Sequence, residues 1–275
     1  MKRGRITEIF PFLLPLRRAQ RRFCFYIKMF FDKNHYVKTK NEEPLPFSIY
    51  ESKSTLLNEK TGFDMKYQEN KVFNLHLAAE TVNKILIRPE ETFSFWQLVR
   101  YAEKYEKYKD GLCVINDNLV TVPGGGLCQL SNMLFWLFLH TPLTIIERHP
   151  HKIMTFPYPD PDEPEGIDAT VSEGWLDLKV KNETNITFQI LISFDDSYIY
   201  GRILTDMDTD YKYEITNRDK IFYKEHDKIY EQVSIYQQKI DKNTNEIIAE
   251  SKLYTNLCEI GYSLPKDIEI INKGE

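Results

Sequence analysis

Cys128, His151 and Asp168 follow one another with separations of 23 and 17 residues, and their types in that order suit nucleophilic acyl chemistry. A cysteine attacks as its thiolate. An imidazole can take the thiol proton and return it to a leaving group, and a carboxylate can orient that imidazole and stabilise its protonated form. Cys128 comes directly after Pro123-Gly124-Gly125-Gly126-Leu127. Three glycines permit positive φ and close backbone approach, so a strand can turn sharply into a helix whose first amides stay bare. A thiol at that point feels the positive end of the helix dipole, which favours thiolate. Gln129 adds a side-chain amide able to face an oxyanion. The same residues also fit two quieter arrangements: a tight turn over a small buried cysteine, and a glycine nest that binds a carboxylate or phosphate.

The histidines carry the argument further. Pro150 favours extended backbone at His149, and in an extended segment from Ile145 to His151 the side chains of Glu147, His149 and His151 share one face. His151 is the first choice for the general base and His149 the alternative. Asp168 either orients the base or caps the turn after Gly166. Glu147 and Arg148 fit structural electrostatics around the site. His149 and His151 with Glu147, Cys128 or Asp168 also make a chemically acceptable zinc set, but a His-x-His spacing is unspecific and no metal is assigned. No phosphate-cradling or dinucleotide glycine motif occurs, so no cofactor is expected.

The elements that must position these residues are legible in outline. Cys128 to Leu139 is apolar on nearly every side, the pattern of a helix buried all round. Its 12 residues rise only about 18 Å, too short to cross a bilayer core. Before it, three-and-four spacing of Leu75, Ala78, Ala79, Val82, Ile85 and Leu86 predicts a helix over Phe73 to Ile87, and Gly111 to Val122 reads as a hairpin turning at Asn116, Asp117 and Asn118. After it, Leu143–Arg148, Ile167–Ser172, Leu176–Val180, Phe188–Phe194 and Tyr198–Leu204 have strand composition. The expected class is α+β, with the Cys128 helix packed on a mainly antiparallel sheet. Three units are expected: a basic segment and linker over 1–45, the linker being Lys38 to Pro46; a main domain over 46–205; and a small β-rich unit over 206–275. Trp96, Trp136 and Trp175 fit core or cleft-lining positions, and His35, His76, His140 and His226 fit surface or cap positions.

The motifs that hold these residues resemble the VanW family. ETFSFW at Glu91–Trp96, GGGLCQLSN at Gly124–Asn132, IERHPH at Ile146–His151, DATV at Asp168–Val171 and DLKVKN at Asp177–Asn182 come in the order of the VanW domain. The basic, apolar beginning is similar to that of the short family members of vancomycin B-type resistance clusters. Two departures stand out: Pro89-Glu90 replaces the usual Pro-Gly, and Lys152 follows the motif histidine where serine is common. The resemblance implies an association with glycopeptide resistance and cell-envelope biology, and it makes a cell-wall precursor or envelope protein the expected partner. Two functions remain open. One is a thiol enzyme with Cys128, His151 and Asp168, in architectural analogy to transglutaminase-like and papain-like folds. The other is a non-catalytic accessory protein.

Composition bounds the rest. With 275 residues, 42% apolar and 13% aromatic, the chain can bury a substantial core. Its net charge of -5 is uneven: residues 1–40 hold 11 Lys/Arg against 2 Asp/Glu, which leaves 25 against 39 in the remainder. The acidic body argues against nucleic acid as a partner. The first 31 residues, with arginines beside Phe23, Phe25, Tyr26, Ile27, Phe30 and Phe31, suit either packing on the chain's own domain or peripheral contact with an anionic membrane. An apolar run of about eight residues broken by Pro11 and Pro15 does not read as a signal peptide. Four scattered cysteines without a C-x-x-C pair suit a reducing compartment, so the expected location is cytoplasmic, with a peripheral position at the inner membrane face as the alternative.

Overall fold

The computed structural model describes residues 10–58, 62–115, 118–154 and 165–272. Among the described residues, four α-helices, α1 (Leu14–Phe31), α2 (Lys66–Val82), α3 (Phe95–Val99) and α4 (Cys128–Leu139), are set among short and long strands. The strands are β1 (His35–Tyr36), β2 (Phe47–Thr55), β3 (Leu86–Ile87), β4 (Glu91–Ser94), β5 (Asp110–Ile115), β6 (Asn118–Pro123), β7 (Thr144–Glu147), β8 (Ile153–Met154), β9 (Lys179–Lys181), β10 (Phe188–Phe194), β11 (Tyr198–Thr205), β12 (Tyr211–Glu225), β13 (Lys228–Asp241), β14 (Ile247–Ile260) and β15 (Ile270–Asn272). They form three sheets, ordered β1-β4-β9-β7, β2-β11-β10-β3 and β15-β12-β13-β14-β8, and the separate hairpin β5-β6. Most pairs are antiparallel; β1 with β4, β12 with β15 and β14 with β8 run parallel.

Helix α4 is the centre around which the sheets close. Leu130, Leu134, Phe135, Leu137 and Phe138 are completely buried, and with the nearly buried Met133, Trp136 and Leu139 they cover every direction around its axis. One side lies on β2 and β11. The Phe138 ring meets Phe93 of β4 at 5.0 Å between centroids, and Phe135 meets Tyr254 of β14 at 6.0 Å. The helix therefore touches all three sheets, including β2, which precedes it in the chain, and not only the strands that follow it. His140 ends α4, buried and stacked 3.5 Å from the Tyr50 ring. Burial holds its pKa down at about 4, so the ring is neutral.

Several expectations change in detail. The helix expected over Phe73–Ile87 runs instead from Lys66 to Val82. Asn83 leaves helical geometry and Lys84 takes φ 68, so Ile85, Leu86 and Ile87 bury as extended chain, with Leu86 and Ile87 paired to β10. The stretch expected as a linker is an extended strap tied to the body: the Leu86 amide donates to the Thr39 carbonyl, and the Leu45 amide donates to Gln189 Oε1 at 2.8 Å. The hairpin pairs as expected, although Asn116 and Asp117 lie outside the described residues. The strands after residue 206 build a sheet of their own, yet Ile215, Val233 and Ile235 belong to the same continuous core as α4. That unit is a second layer of one core.

Because Phe138 is enclosed on all sides, Phe138→Ala should cost about 3–5 kcal/mol of unfolding free energy, measured by urea denaturation. A loss below about 1 kcal/mol would mean the helix is not packed as described.

Candidate active site

Strand β6 feeds the glycine turn. Gly124 and Gly126 have φ of 77° and 95°, the left-handed region where a side chain is strained. Gly125 lies so close to Gly111 of β5 that a Cβ on either would collide with the other's carbonyl. Asn74 of α2 clamps the turn, donating to the carbonyls of Lys109 (2.9 Å) and Gly125 (3.1 Å) and accepting from the Lys109 amide (2.8 Å). The amides of Gly124 and Gly125 donate internally, to Lys109 and Val122. Two of the three glycine donors are therefore committed to shaping the turn, which weakens the anion-nest reading. The Cys128 amide, at the first position of α4, has no hydrogen-bond partner among the described residues.

The Cys128 side chain is half-buried, with Sγ 3.5 Å from Thr170 Oγ1 and close enough to the His151 imidazole for each group to shift the other's pKa. His151 Nδ1 lies 2.6 Å from Asp168 Oδ1, and the His151 amide donates to the other carboxylate oxygen. With Nδ1 engaged by Asp168, Nε2 is the ring nitrogen left for the thiol. The carboxylate is 7% exposed and the imidazole 32%. Burial alone pushes the Cys128 thiol up, but the hydrogen bond and charge of His151, with help from Thr170, outweigh it and hold the pKa below its ordinary value. Burial pushes the His151 ring down, yet Asp168 and Cys128 together raise it to about 11. Asp168 is likewise depressed: burial raises it, and His151 and Arg148 more than reverse that. The three groups thus favour thiolate, imidazolium and carboxylate together. In linkage terms, Asp168 contributes stability above the ordinary carboxylate range that is lost as pH falls through its depressed pKa. His151 contributes below its ordinary value, and loses that contribution as pH rises through about 11.

The segment Ile167–Ser172 reads as a strand in the sequence, but Ile167 to Val171 joins no ladder and Ser172 makes only an isolated bridge to Leu176. Side chains hold it instead. Ser131 Oγ donates to the Ala169 carbonyl (2.6 Å), the Ala169 amide donates to Asn132 Oδ1 (2.8 Å), and the Thr170 amide donates to the His149 carbonyl (2.8 Å). Arg148 Nε donates to the Asp168 carbonyl while its Nη2 donates to Asn256 of β14 at 2.7 Å, and its guanidinium lies 4.3 Å from the Tyr254 ring centroid. Ser131, Asn132 and Thr170 are positioning residues that the sequence reading passed over. The signal was present: Ser131 and Asn132 lie three and four residues after Cys128, on its face of the helix, and Thr170 lies two after Asp168 on an extended chain.

Other candidates fall elsewhere. Strand β7 ends at Glu147, and Glu147, His149 and His151 do not act as one face. His149 Nε2 pairs with Glu147 Oε1 at 2.9 Å, and Glu147 also takes Lys179 Nζ at 2.9 Å and the Asp177 amide. Those partners draw Glu147 below its ordinary pKa against the upward push of burial. His149 is thus committed to a structural ion-pair cluster, and His151 is the histidine beside the thiol. Gln129 spends its amide group on Ser54 Oγ (2.9 Å) and the Thr55 carbonyl (2.7 Å), so it is tied to β2 and not free for an oxyanion. Among the described residues no group of three or more His, Cys, Asp and Glu side chains is arranged to hold a metal.

Comparison with known proteins agrees with the motifs. A family model described as "VanW like protein" matches residues 70–204. The chain is 52% identical, over 98% of both chains, to the vancomycin B-type resistance protein VanW of Enterococcus faecalis (strain ATCC 700802 / V583). It is 35% identical over 112 residues, 41% of this chain and 35% of the relative, to the protein YoaR of Bacillus subtilis (strain 168). No solved structure matches.

Two predictions follow from the electrostatics. Brief alkylation at about pH 6.5, well below an ordinary thiol pKa, should label Cys128 ahead of Cys258, which is buried and pushed up to about 12, and also ahead of exposed Cys24. Removing the imidazole in His151→Ala leaves the upward push of burial opposed only by the contacts to Thr170 and Val171, so labelling at that pH should slow roughly tenfold or more, and the gap to wild type should close as pH rises. Equal labelling of Cys128 and Cys24, unchanged by His151→Ala, would contradict the thiolate assignment.

Proposed function

The chain belongs to the VanW family, a family linked to vancomycin resistance, and from that premise we propose that it is a cysteine-dependent acyl-transfer enzyme acting on a peptide amide of a cell-wall precursor. The carrying observation is the Cys128 thiol at the start of a buried helix, beside a His151 imidazole that Asp168 holds by its ring nitrogen and its amide. The Cys128 thiolate attacks the amide carbonyl carbon and forms a C–S bond. The unpartnered Cys128 amide stabilises the oxyanion. His151, as imidazolium, gives its proton to the departing amine as the C–N bond breaks. Water or an acceptor amine then attacks the thioester, His151 takes a proton from it, and Cys128 leaves as thiolate. Asp168 holds the ring in the required tautomer throughout.

The fixed Asp168–Thr170 segment and the paired thiol support this reading over a purely accessory role, because a binding surface has no need of a depressed cysteine pKa beside an oriented imidazole. The direct test is to incubate the protein with a cell-wall stem peptide and follow both product and the intact protein mass. An acyl adduct should form on Cys128, and Cys128→Ala should lower turnover by roughly a thousandfold or more. Asp168→Asn should lower it less. Turnover that survives Cys128→Ala would overturn the proposal, as would the absence of both adduct and product across stem peptides; that second outcome would favour an accessory binding role.

A further inference from the structure

We propose that α1 is a membrane-surface helix whose outward face docks on an anionic bilayer and holds the cysteine site beside that surface. At roughly 100° per residue, Leu16, Phe23, Ile27 and Phe30 fall on one narrow stripe. All four are exposed, Leu16 by 69%, Phe23 by 67% and Phe30 by 79%. The opposite side seats the helix on the body: Met29 is buried and takes the Gln97 side-chain amide at 3.3 Å, while Phe25 and Tyr26 pack against the core. An amphipathic helix that is already docked by one face has no internal use for a second apolar face. Among the described residues no helix is long and apolar enough to cross a membrane, so contact is with the surface.

Charge selects the occupant. Arg17, Arg21 and Lys28 lie together roughly 110–150° around the helix from the centre of the stripe and line a cavity of about 320 Å³ between α1 and the turn at Gly174 and Trp175, with no carboxylate among the described residues of its walls. Trp175 is more than half exposed, with the Arg21 guanidinium 4.8 Å and Lys152 Nζ 5.9 Å from its ring centroid. An exposed tryptophan among cations is the side-chain combination of a bilayer interface. The rest of the chain is acidic, holding 25 basic against 39 acidic residues, so an anionic surface attracts this face and repels the others. A second copy of the stripe would bring arginine against arginine.

The helix is coupled to the site through that same turn. Glu173 binds Arg22 Nε at 3.0 Å and the Tyr26 hydroxyl at 2.9 Å. The helix backbone passes so close to Gly174 that a Cβ there would lie 3.0 Å from the Arg22 nitrogen. Thr170 and Val171, which contact Cys128 Sγ, come just before this turn.

The test is co-sedimentation of the full-length protein with vesicles of phosphatidylglycerol and phosphatidylcholine, or of phosphatidylcholine alone, at low and high salt. Wild type should bind the anionic vesicles at low salt and release at high salt. The triple variant Arg17→Gln, Arg21→Gln, Lys28→Gln should bind about a hundredfold more weakly, and Phe23→Ser with Phe30→Ser at least roughly tenfold more weakly. These side chains are exposed, so thermal unfolding should be unchanged. Failure of wild type to bind anionic vesicles, or equal binding by the variants, would overturn the proposal. So would a wild-type dimer in light scattering that Phe23→Ser with Phe30→Ser dissociates, because the stripe would then cover a second copy.

Discussion

The carboxylate of Asp168 is taken almost wholly out of water, and the structure around the cysteine is organised by what that charge requires. A buried carboxylate without partners costs several kcal/mol. Asp168 meets the cost with the His151 ring and amide, and with the nearby charge of Arg148. Binding both the ring nitrogen and the amide of one residue fixes the imidazole in position and in tautomer, which leaves Nε2 for Cys128. Once the imidazole is charged, the thiol beside it is stabilised as thiolate, even though burial works in the other direction. Asp168 first and the thiol second raise the imidazole, and the imidazole in turn lowers the thiol.

That arrangement needs a rigid frame, because a small shift of the 167–171 segment would separate the groups. Helix α4 supplies it. Its fully apolar body is locked among three sheets, and its first turn uses Ser131 and Asn132 to hold Ala169 from both sides of the peptide. Arg148 ties the same segment to β14, so the long C-terminal ribbon stabilises the site as well as completing the core. The glycine turn allows the helix to begin where it does, with Gly125 fitted against Gly111 and Asn74 satisfying the backbone around it.

Much of this was legible in residue patterns. The burial of α4 followed from the apolar residues on nearly every side of it, strands β10 and β11 followed from their composition, and Cys128, His151 and Asp168 stood out by type and order. What was not legible depended on which partner each polar group finds in space. His149 looked like an alternative to His151 along an extended chain, and only its pairing with Glu147, itself bound by Lys179 and the Asp177 amide, draws it into a separate cluster. Gln129 resembled an oxyanion donor, because nothing local shows that β2 lies within its reach. The helix after the strap was misplaced because Ile85, Leu86 and Ile87 continue a helical period although Lys84 has already turned the backbone into a strand.

The central claim is that His151 is a charged imidazolium held between a carboxylate and a thiolate. Nitrogen-15 NMR of histidine-labelled protein measures this directly, since the two ring nitrogens report protonation and tautomer. The account predicts that His151 keeps both ring nitrogens protonated throughout the neutral range, deprotonating only toward about pH 11, and that Cys128→Ala lowers this value. A His151 ring that is neutral at pH 7 and titrates near the ordinary value of about 6.5, unaffected by removal of the thiol, would contradict it.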